Sequence, residues 1–375
     1  MDDVGTMRER KREQLEICAK PELYPVETAA RAARFGEVHL VHRALPELAA
    51  DEVDPGVDFL GTRCALPLFI SCMTGGTGEA STVNRELARA AQRAGIAVGS
   101  GSFRLLLRHE ELAGQFNLKT WAPDVPHIAN ISAVQLREAG AEVVLELARR
   151  IGADALALHL NAGQELFQGA GDRDFRGLYD AIGTLVNRAA IPVIVKETGF
   201  GLAPFELRRL LDLGVAYVDV AGAGGTNWIA VEAERLEDGP ERRAAAEFAE
   251  WGYPTALLLA ASGDTAGRLL ASGGIRTGLD VLKAIALGAA LAGMALPFAR
   301  LALERGAEGV LEKLAELDMV IRRAMLLVGA RRTADLDRNK LWFESGFAAD
   351  AALLASCGAS GGASGGASAG GSGGH

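Results

Sequence analysis

Residues 192–221 read PVIVKETGFGLAPFELRRLLDLGVAYVDVA. An apolar run without polar alternation, PVIVKE, leads into a loop. An amphipathic stretch over Phe205–Leu213 follows, and then a second apolar run, AYVDVA. Strands apolar on both sides belong to parallel sheets covered on both faces. The segment therefore predicts a strand–helix–strand unit. The same grammar extends in both directions, with runs at 66–73 (LPLFISCM), 95–100 (GIAVGS), 127–132 (HIANIS), 154–160 (DALALHL), 268–273 (RLLASG) and 290–295 (ALAGMA). Helical patterns at Asn84–Ala94, Ala141–Ile151 and Gly278–Leu287 separate several of them. Eight strand–helix pairs in roughly 250 residues predict a single α/β domain, a (β/α)8 TIM barrel. An open doubly wound sheet is the alternative, weakened because no GxGxxG follows the first strand.

The rest of the chain is assigned around that barrel. Residues 1–64 read as an N-terminal arm, with a charged helix over Glu9–Lys20, and a lead-in. Residues 65–345 form the barrel, and 346–375 a C-terminal segment ending in a Gly/Ala/Ser run. That run has no large apolar residue to offset its ordering entropy and is expected to be disordered. It contains nine of the 46 glycines among the 375 residues.

A net charge of −9 argues against a nucleic-acid footprint. Cys18, Cys64, Cys72 and Cys357 form no CxxC pair, which argues against zinc and disulfides and fits a reducing, cytoplasmic setting. The charged N-terminus shows no secretory signal. The longest uncharged apolar stretch, Ala284–Ala299, is 16 residues and contains Gly288, Gly293 and Pro297. It reads as a buried helix followed by a buried strand, so no membrane association is expected.

Function in a barrel collects just after the strands. Those positions are dense in small and polar residues: CMTGG (72–76), GSGSFR (99–104), NIS (130–132), HLNAGQE (159–165), KETGFG (196–201), AGAGGTNW (221–228) and SGGIRTG (272–278). SGGIRTG lies between the seventh strand and a helix, where glycine amides and a helix N-terminus suit an anion; tight packing of a turn is the other reading. Lys196 is open to a cofactor contact, a Schiff base or an ion pair. His159 and Asn161 share one strand face. Glu165, a lone carboxylate with neutral neighbours, suits Mg²⁺ completed by water and phosphate, or a cap or salt bridge. Trp228 and Glu232 are four apart, on one face if that stretch is helical, and Trp228 either walls a pocket or is core. A long connection after the sixth strand, Gly225–Arg268, should carry a helix near Thr255–Ser262 and serve the site.

MTGG, GSxR, NIS…QL, HLNxxQE, VKETGFG, DVAGAGGTNW and ASGGIRTG, in order from about Arg8 to Gly329, resemble type 2 isopentenyl-diphosphate delta-isomerase, an FMN-dependent TIM-barrel family. The resemblance implies FMN on Cys72, Met73, Thr74, Ser102, Asn130, Lys196 and Thr226, its phosphate on Gly273, Gly274, Arg276, Ala295 and Leu296. It implies a prenyl diphosphate on Arg10, Lys11, Arg104, His159, Asn161 and Gln164, and Mg²⁺ on Glu165. Trp228 and Glu232 would line the alkene pocket, giving Gln164, His159, Trp228 and Glu232 as the catalytic group. NADPH or NADH would reduce the flavin, and a homo-oligomer, tetramer or octamer, is implied. The reaction would interconvert isopentenyl and dimethylallyl diphosphate in isoprenoid biosynthesis.

The chain departs from the family at one place. The family's Arg-Lys-x-x-His reads Arg10-Lys11-Arg12-Glu13-Gln14 here. Gln14 donates a hydrogen bond but carries no charge, so either the diphosphate clamp is altered or Arg12 supplies the cation. Two rival functions stand beside the isomerase. One is an FMN-dependent 2-hydroxy-acid oxidase, for which a His and an Arg are expected where AGAGGTNW stands. The other is a non-catalytic flavin- or prenyl-diphosphate-binding relative.

Overall fold

The structure, a computed structural model, describes residues 4–357 apart from 29, 74, 76, 77, 264 and 266. Thr74 and the Gly/Ala/Ser run therefore lie outside the described residues.

Eight parallel strands close into a barrel: β1 (Leu68–Ile70), β2 (Ala97–Ser102), β3 (His127–Ser132), β4 (Ala155–His159), β5 (Val193–Lys196), β6 (Tyr217–Asp219), β7 (Leu269–Ala271) and β8 (Ala289–Met294). The last strand pairs back onto the first, with Ala292 opposite Leu68 and Met294 opposite Ile70. Each strand coincides, to within three residues at either end, with an apolar run of the sequence. The runs lack polar alternation because both faces are covered. Ile194 joins Phe69, Ile128, Ala157, Leu270 and Leu291 inside the barrel, whereas Val193 and Val195 pack outward beneath the helices. The turn-bounded helices form for local reasons as well. Pro204 starts Pro204–Asp212, the Glu206 carboxylate accepts from the Ala203 amide at 3.0 Å, and Leu207, Leu210 and Leu211 turn inward. Two helices are longer than the sequence pattern suggested. Glu79–Ala94 begins five residues before Asn84, and the arm helix runs Val4–Ala19. The first turn of Glu79–Ala94 lacks the strong apolar periodicity used to locate that helix, and the arm helix starts before the charged stretch that marks it.

Both ends of the barrel are covered. A hairpin, Val57–Phe59 and Thr62–Cys64, inserts Phe59 and Cys64 into the interior cluster, with Phe59 against Tyr217 at the start of β6. At the opposite end the arm helix packs Ile17 and Cys18 against Val26, Val231 and Leu296. The chain's end also docks. Leu341–Phe343 pairs antiparallel with Val38–Leu40, and helix Ser345–Ser356 buries Phe347. The long connection after β6 carries the expected helix at Thr255–Ala261 and two further short ones, Trp228–Ala233 and Pro240–Ala246. No helix among the described residues is long and apolar enough to cross a membrane.

Candidate active site

One cavity opens at the C-terminal ends of the strands, with an open volume of about 1230 Å³ including its mouth. Its wall brings together Cys72, Met73, Ser102, Asn130, Lys196, Thr226, Gly273, Gly274, Arg276, Ala295 and Leu296 with Arg10, Lys11, Arg104, His159, Asn161, Gln164, Glu165 and Trp228. Glu232 is placed differently: it is 1% exposed and stands behind Gln164 rather than on the wall.

One end is shaped by main chain. Gly273 and Gly274 have φ of +96° and +78°, and a Cβ on either would meet the carbonyl oxygens of Gly222 at 2.1 Å or Gly224 at 2.8 Å. Glycine is required because the loops after β6 and β7 pack backbone on backbone. The helix that follows is already capped. The Asp280 carboxylate accepts from the amides of Arg276 (3.1 Å) and Thr277 (3.0 Å), and the Thr277 hydroxyl accepts from the Asp280 amide at 3.1 Å. The helix N-terminus invoked from the sequence is thus internally satisfied. The amides of Gly273, Gly274 and Ile275 donate to no protein group among the described residues. Together with the first turn of Leu296–Leu327 they form a cradle of main-chain donors that could hold an anion. Arg276 borders it, but its guanidinium also pairs with Glu27, which Arg300 holds from the other side at 2.5 Å. Residues 26–28 latch onto the loop after β6: Thr28 donates its amide to Gly225 O at 3.0 Å and accepts from the Gly224 amide at 2.9 Å.

Lys196 lies between His159 and Asp219 in the strand register. Its Nζ donates to Glu197 O at 2.7 Å, a backbone contact and not the ion pair left open by the sequence. The Glu197 carboxylate faces elsewhere and accepts the amides of Gly199, Phe200 and Gly201, fixing the loop after β5. Burial raises its pKa to about 7 against those three donors.

The other end is cationic. Lys11 and Arg104 line the cavity and have no ion-pair partner among the described residues; Arg10 lies beside them. Burial, and then the like charge of Arg10, lower Lys11 to about 8. Protonated Lys11 is the form that binds an anion, so affinity for inorganic pyrophosphate is expected to fall as pH rises through about 8. Lys11→Arg should remove that loss, as measured by titration calorimetry across the pH range. A loss that persists in Lys11→Arg would assign it to another group. Arg12 is exposed, with Glu9 at 3.9 Å, and does not line the cavity. It does not supply the cation that Gln14 lacks.

His159 Nδ1 sits 3.0 Å from Asn130 Oδ1, and a carbonyl oxygen only accepts, so Nδ1 donates and Nε2 is left as an acceptor. Burial, with Lys196, Lys11 and Arg104 nearby, lowers the imidazole to about 3, so it is neutral at neutral pH. In that form Nε2 can accept a hydrogen bond from a protonated anion oxygen, whereas a fully ionised oxygen would need an N–H there.

Glu165 is 6% exposed. Its carboxylate accepts from Asn161 Nδ2 (2.9 Å), Gln168 Nε2 (3.3 Å) and the Asp172 amide (2.9 Å), with no salt bridge among the described residues. Among the described residues no group of three or more His, Cys, Asp or Glu could hold a metal. A single carboxylate among neutral donors fits Mg²⁺ that keeps water and phosphate oxygens as its other ligands. Gln164 Nε2 donates to Glu232 Oε1 at 2.9 Å, and Arg235 Nη1 pairs with Glu232 Oε2 at 2.7 Å.

Several supporting residues are not evident from the sequence. Asp219 accepts from the Ser272 amide (2.9 Å) and hydroxyl (2.8 Å), and Ser272 Oγ reaches Ser71 Oγ at 3.3 Å, tying the ends of β6, β7 and β1. Its one signal is a lone carboxylate inside AYVDVA. Gln135 lines the cavity and donates to Asp172 at 3.2 Å, while Arg173 and Gly171 fold the loop 168–173 back over Glu165. In the sequence Gln135 stands within the NIS…QL motif without a role of its own.

The family model of FMN-dependent dehydrogenases matches residues 158–343. The chain is 38% identical over 343 residues to an isopentenyl-diphosphate delta-isomerase of Borreliella afzelii, covering 91% of this chain and 95% of that protein. It is 44% identical over 344 residues to the one named likewise from Xanthobacter autotrophicus, covering 90% and 97%. Among solved structures it is similar to a flavocytochrome b2 with sulfite bound (TM-score 0.65, 19% identity, 87% and 82% covered). It is also similar to a lactate oxidase of Pediococcus acidilactici (0.64, 17%, 92% and 96%). At those identities the structural likenesses establish the fold alone.

Proposed function

Because the chain belongs to the isopentenyl-diphosphate delta-isomerase family, we propose that it interconverts isopentenyl and dimethylallyl diphosphate with reduced FMN. The observation that carries this reading is the two-ended cavity: a backbone anion cradle at one end, and Arg10, Lys11 and Arg104 at the other. A flavin phosphate and a substrate diphosphate then have separate sites. Where an FMN-dependent oxidase would place a His and an Arg after β6, this chain has Ala221–Trp228, with neither.

The flavin phosphate is assigned to Gly273, Gly274, Arg276, Ala295 and Leu296, and the rest of FMN to Cys72, Met73, Ser102, Asn130, Lys196 and Thr226. Reduced FMN, with NADPH or NADH as the source of electrons, supplies the acid–base centre for a proton gained at one alkene carbon and lost at another. The reaction has no net redox change. Arg10, Lys11, Arg104, His159, Asn161 and Gln164 hold the diphosphate, and Glu165 holds its Mg²⁺. Pinning the diphosphate fixes the alkene's position and removes rotational freedom before the proton moves. Trp228 walls the alkene, Gln164 orients it, and Glu232 acts through Gln164. A cytoplasmic homo-oligomer completes the proposal.

The deciding experiment is to reduce the FMN-loaded protein with dithionite, add isopentenyl diphosphate with Mg²⁺, and follow the allylic product. Dimethylallyl diphosphate is expected. Absence of product with fully reduced FMN bound would refute the isomerase reading, and flavin reduction by lactate or glycolate would revive the oxidase one.

A further inference from the structure

Arg10 and Lys11 stand four and three positions before Gln14, so on the arm helix each neighbours it on one side. Arg10 and Lys11 reach the cavity wall; Gln14 is 3% exposed and turns one step deeper. Its Nε2 donates to Glu232 Oε1 at 2.6 Å, across 218 residues of sequence. Gln164 Nε2 donates to the same oxygen at 2.9 Å, and Arg235, itself held by Glu13 at 3.0 Å, occupies Oε2. The Glu232 carboxylate is therefore gripped from the arm, from the helix after β4 and from its own segment. Gln14 Oε1 is buried without a hydrogen-bond partner among the described residues, beside a small cavity lined by Lys11, Leu15, Met73 and Trp228.

We propose that Gln14 is a positioning residue: from the arm it fixes Glu232, and through it the Gln164 amide that meets the alkene. This rests on the isomerase reading and adds a role for the residue at which the chain departs from its family's motif. A neutral amide is sufficient at this position because the partner is Glu232, which needs a donor and not a second charge; Arg235 already supplies one. Removing the donor leaves Oε1 held by Gln164 alone, and both groups gain freedom. The loss should appear in turnover and not in anion binding, since Gln14 does not reach the cavity wall that the diphosphate would meet.

The test compares the FMN-loaded wild type with Gln14→Leu, Gln14→Met, Gln14→His, Glu232→Gln and Gln14→Leu/Glu232→Gln. Gln14→Leu is expected to lower kcat by about 10- to 100-fold, with KM for isopentenyl diphosphate and Kd for inorganic pyrophosphate within about threefold of wild type. Gln14→His, which restores a donor, should recover kcat to within about threefold. The double variant should be no slower than Glu232→Gln, since contacting residues are non-additive. Gln14→Met carries the same comparison if the leucine variant retains too little FMN. Wild-type kcat in Gln14→Leu would overturn the proposal. So would a raised pyrophosphate Kd with kcat unchanged, or losses that multiply in the double variant. Thermal unfolding of the same set provides a readout without turnover: Tm losses at the two positions should fall short of additive, and full additivity overturns the contact. A wild type that forms no allylic product refutes the isomerase reading separately, and the Tm cycle still decides whether Gln14 acts on Glu232.

Discussion

Gly273→Ala is expected to release FMN and to destabilise the protein by about 3 kcal/mol or more. Two costs combine. The native φ of +96° lies where an L side chain is strained, and the new Cβ would sit 2.1 Å from Gly222 O. The obstacle is a carbonyl in the loop after β6, itself held by the Gly222 amide on Ser272 O at 3.2 Å, so it cannot swing aside as a flexible side chain would. Relief requires the β6 and β7 loops to separate, which also opens the cradle of Gly273, Gly274 and Ile275 amides. Gly288→Ala separates the two costs. Gly288 has φ +107°, a Cβ there would meet nothing within 4 Å, and it precedes β8 at the far end of the barrel. It should lose only about 1–2 kcal/mol and keep its flavin. Urea unfolding and the flavin absorbance of the purified variants make the comparison. Equal stability of the two variants, or full FMN in Gly273→Ala, would show that the loop contact is not what shapes the cradle.

Glu165→Gln is expected to lower kcat/KM by roughly 100-fold or more, about 2.7 kcal/mol, and to flatten its dependence on Mg²⁺. The substitution keeps the shape and removes the charge. It also turns one acceptor into a donor among groups that already donate: Asn161 Nδ2, Gln168 Nε2 and the Asp172 amide. At least one of these contacts is lost; at Oε2 that leaves a buried donor without its carboxylate, whereas Asn161 Nδ2 would keep Gln164 Oε1 at 3.2 Å. Flavin content should be unchanged, because Glu165 belongs to the segment after β4 and not to the β7–β8 cradle. Steady-state rates across a Mg²⁺ titration test this. A variant with the wild-type Mg²⁺ response would remove Glu165 from the metal's ligands.

The barrel was legible because a parallel strand buried on both faces leaves a plain record. Ile194 faces the interior while Val193 and Val195 face the helices, so the run stays apolar throughout. Side chains that end such a strand or begin its loop were legible for the same reason: His159, Lys196 and Gly273 follow directly from knowing where the strands stop. Residues that act across the sequence were not. Asp219 holds Ser272, 53 residues away, and Glu27 stands between Arg276 and Arg300, 249 and 273 residues away. Nothing local to a carboxylate records which distant donor it meets.

Gln14 shows the same division at one position. Its sequence context marks a missing histidine and suggests a weakened anion clamp with Arg12 as substitute. The packed arm instead points Gln14 at Glu232 and leaves Arg12 in solvent. Periodicity and strand–helix alternation, properties of neighbouring residues, were enough to determine the barrel and its functional end, and the motifs after the strands pointed to the family. The partners of Gln14, Glu165, Asp219 and Glu232 were decided only when the arm and the loops after β4, β6 and β7 packed together. A buried polar group's bonds depend on what is within about 3 Å of it, and that is set by tertiary contact between segments far apart in the chain.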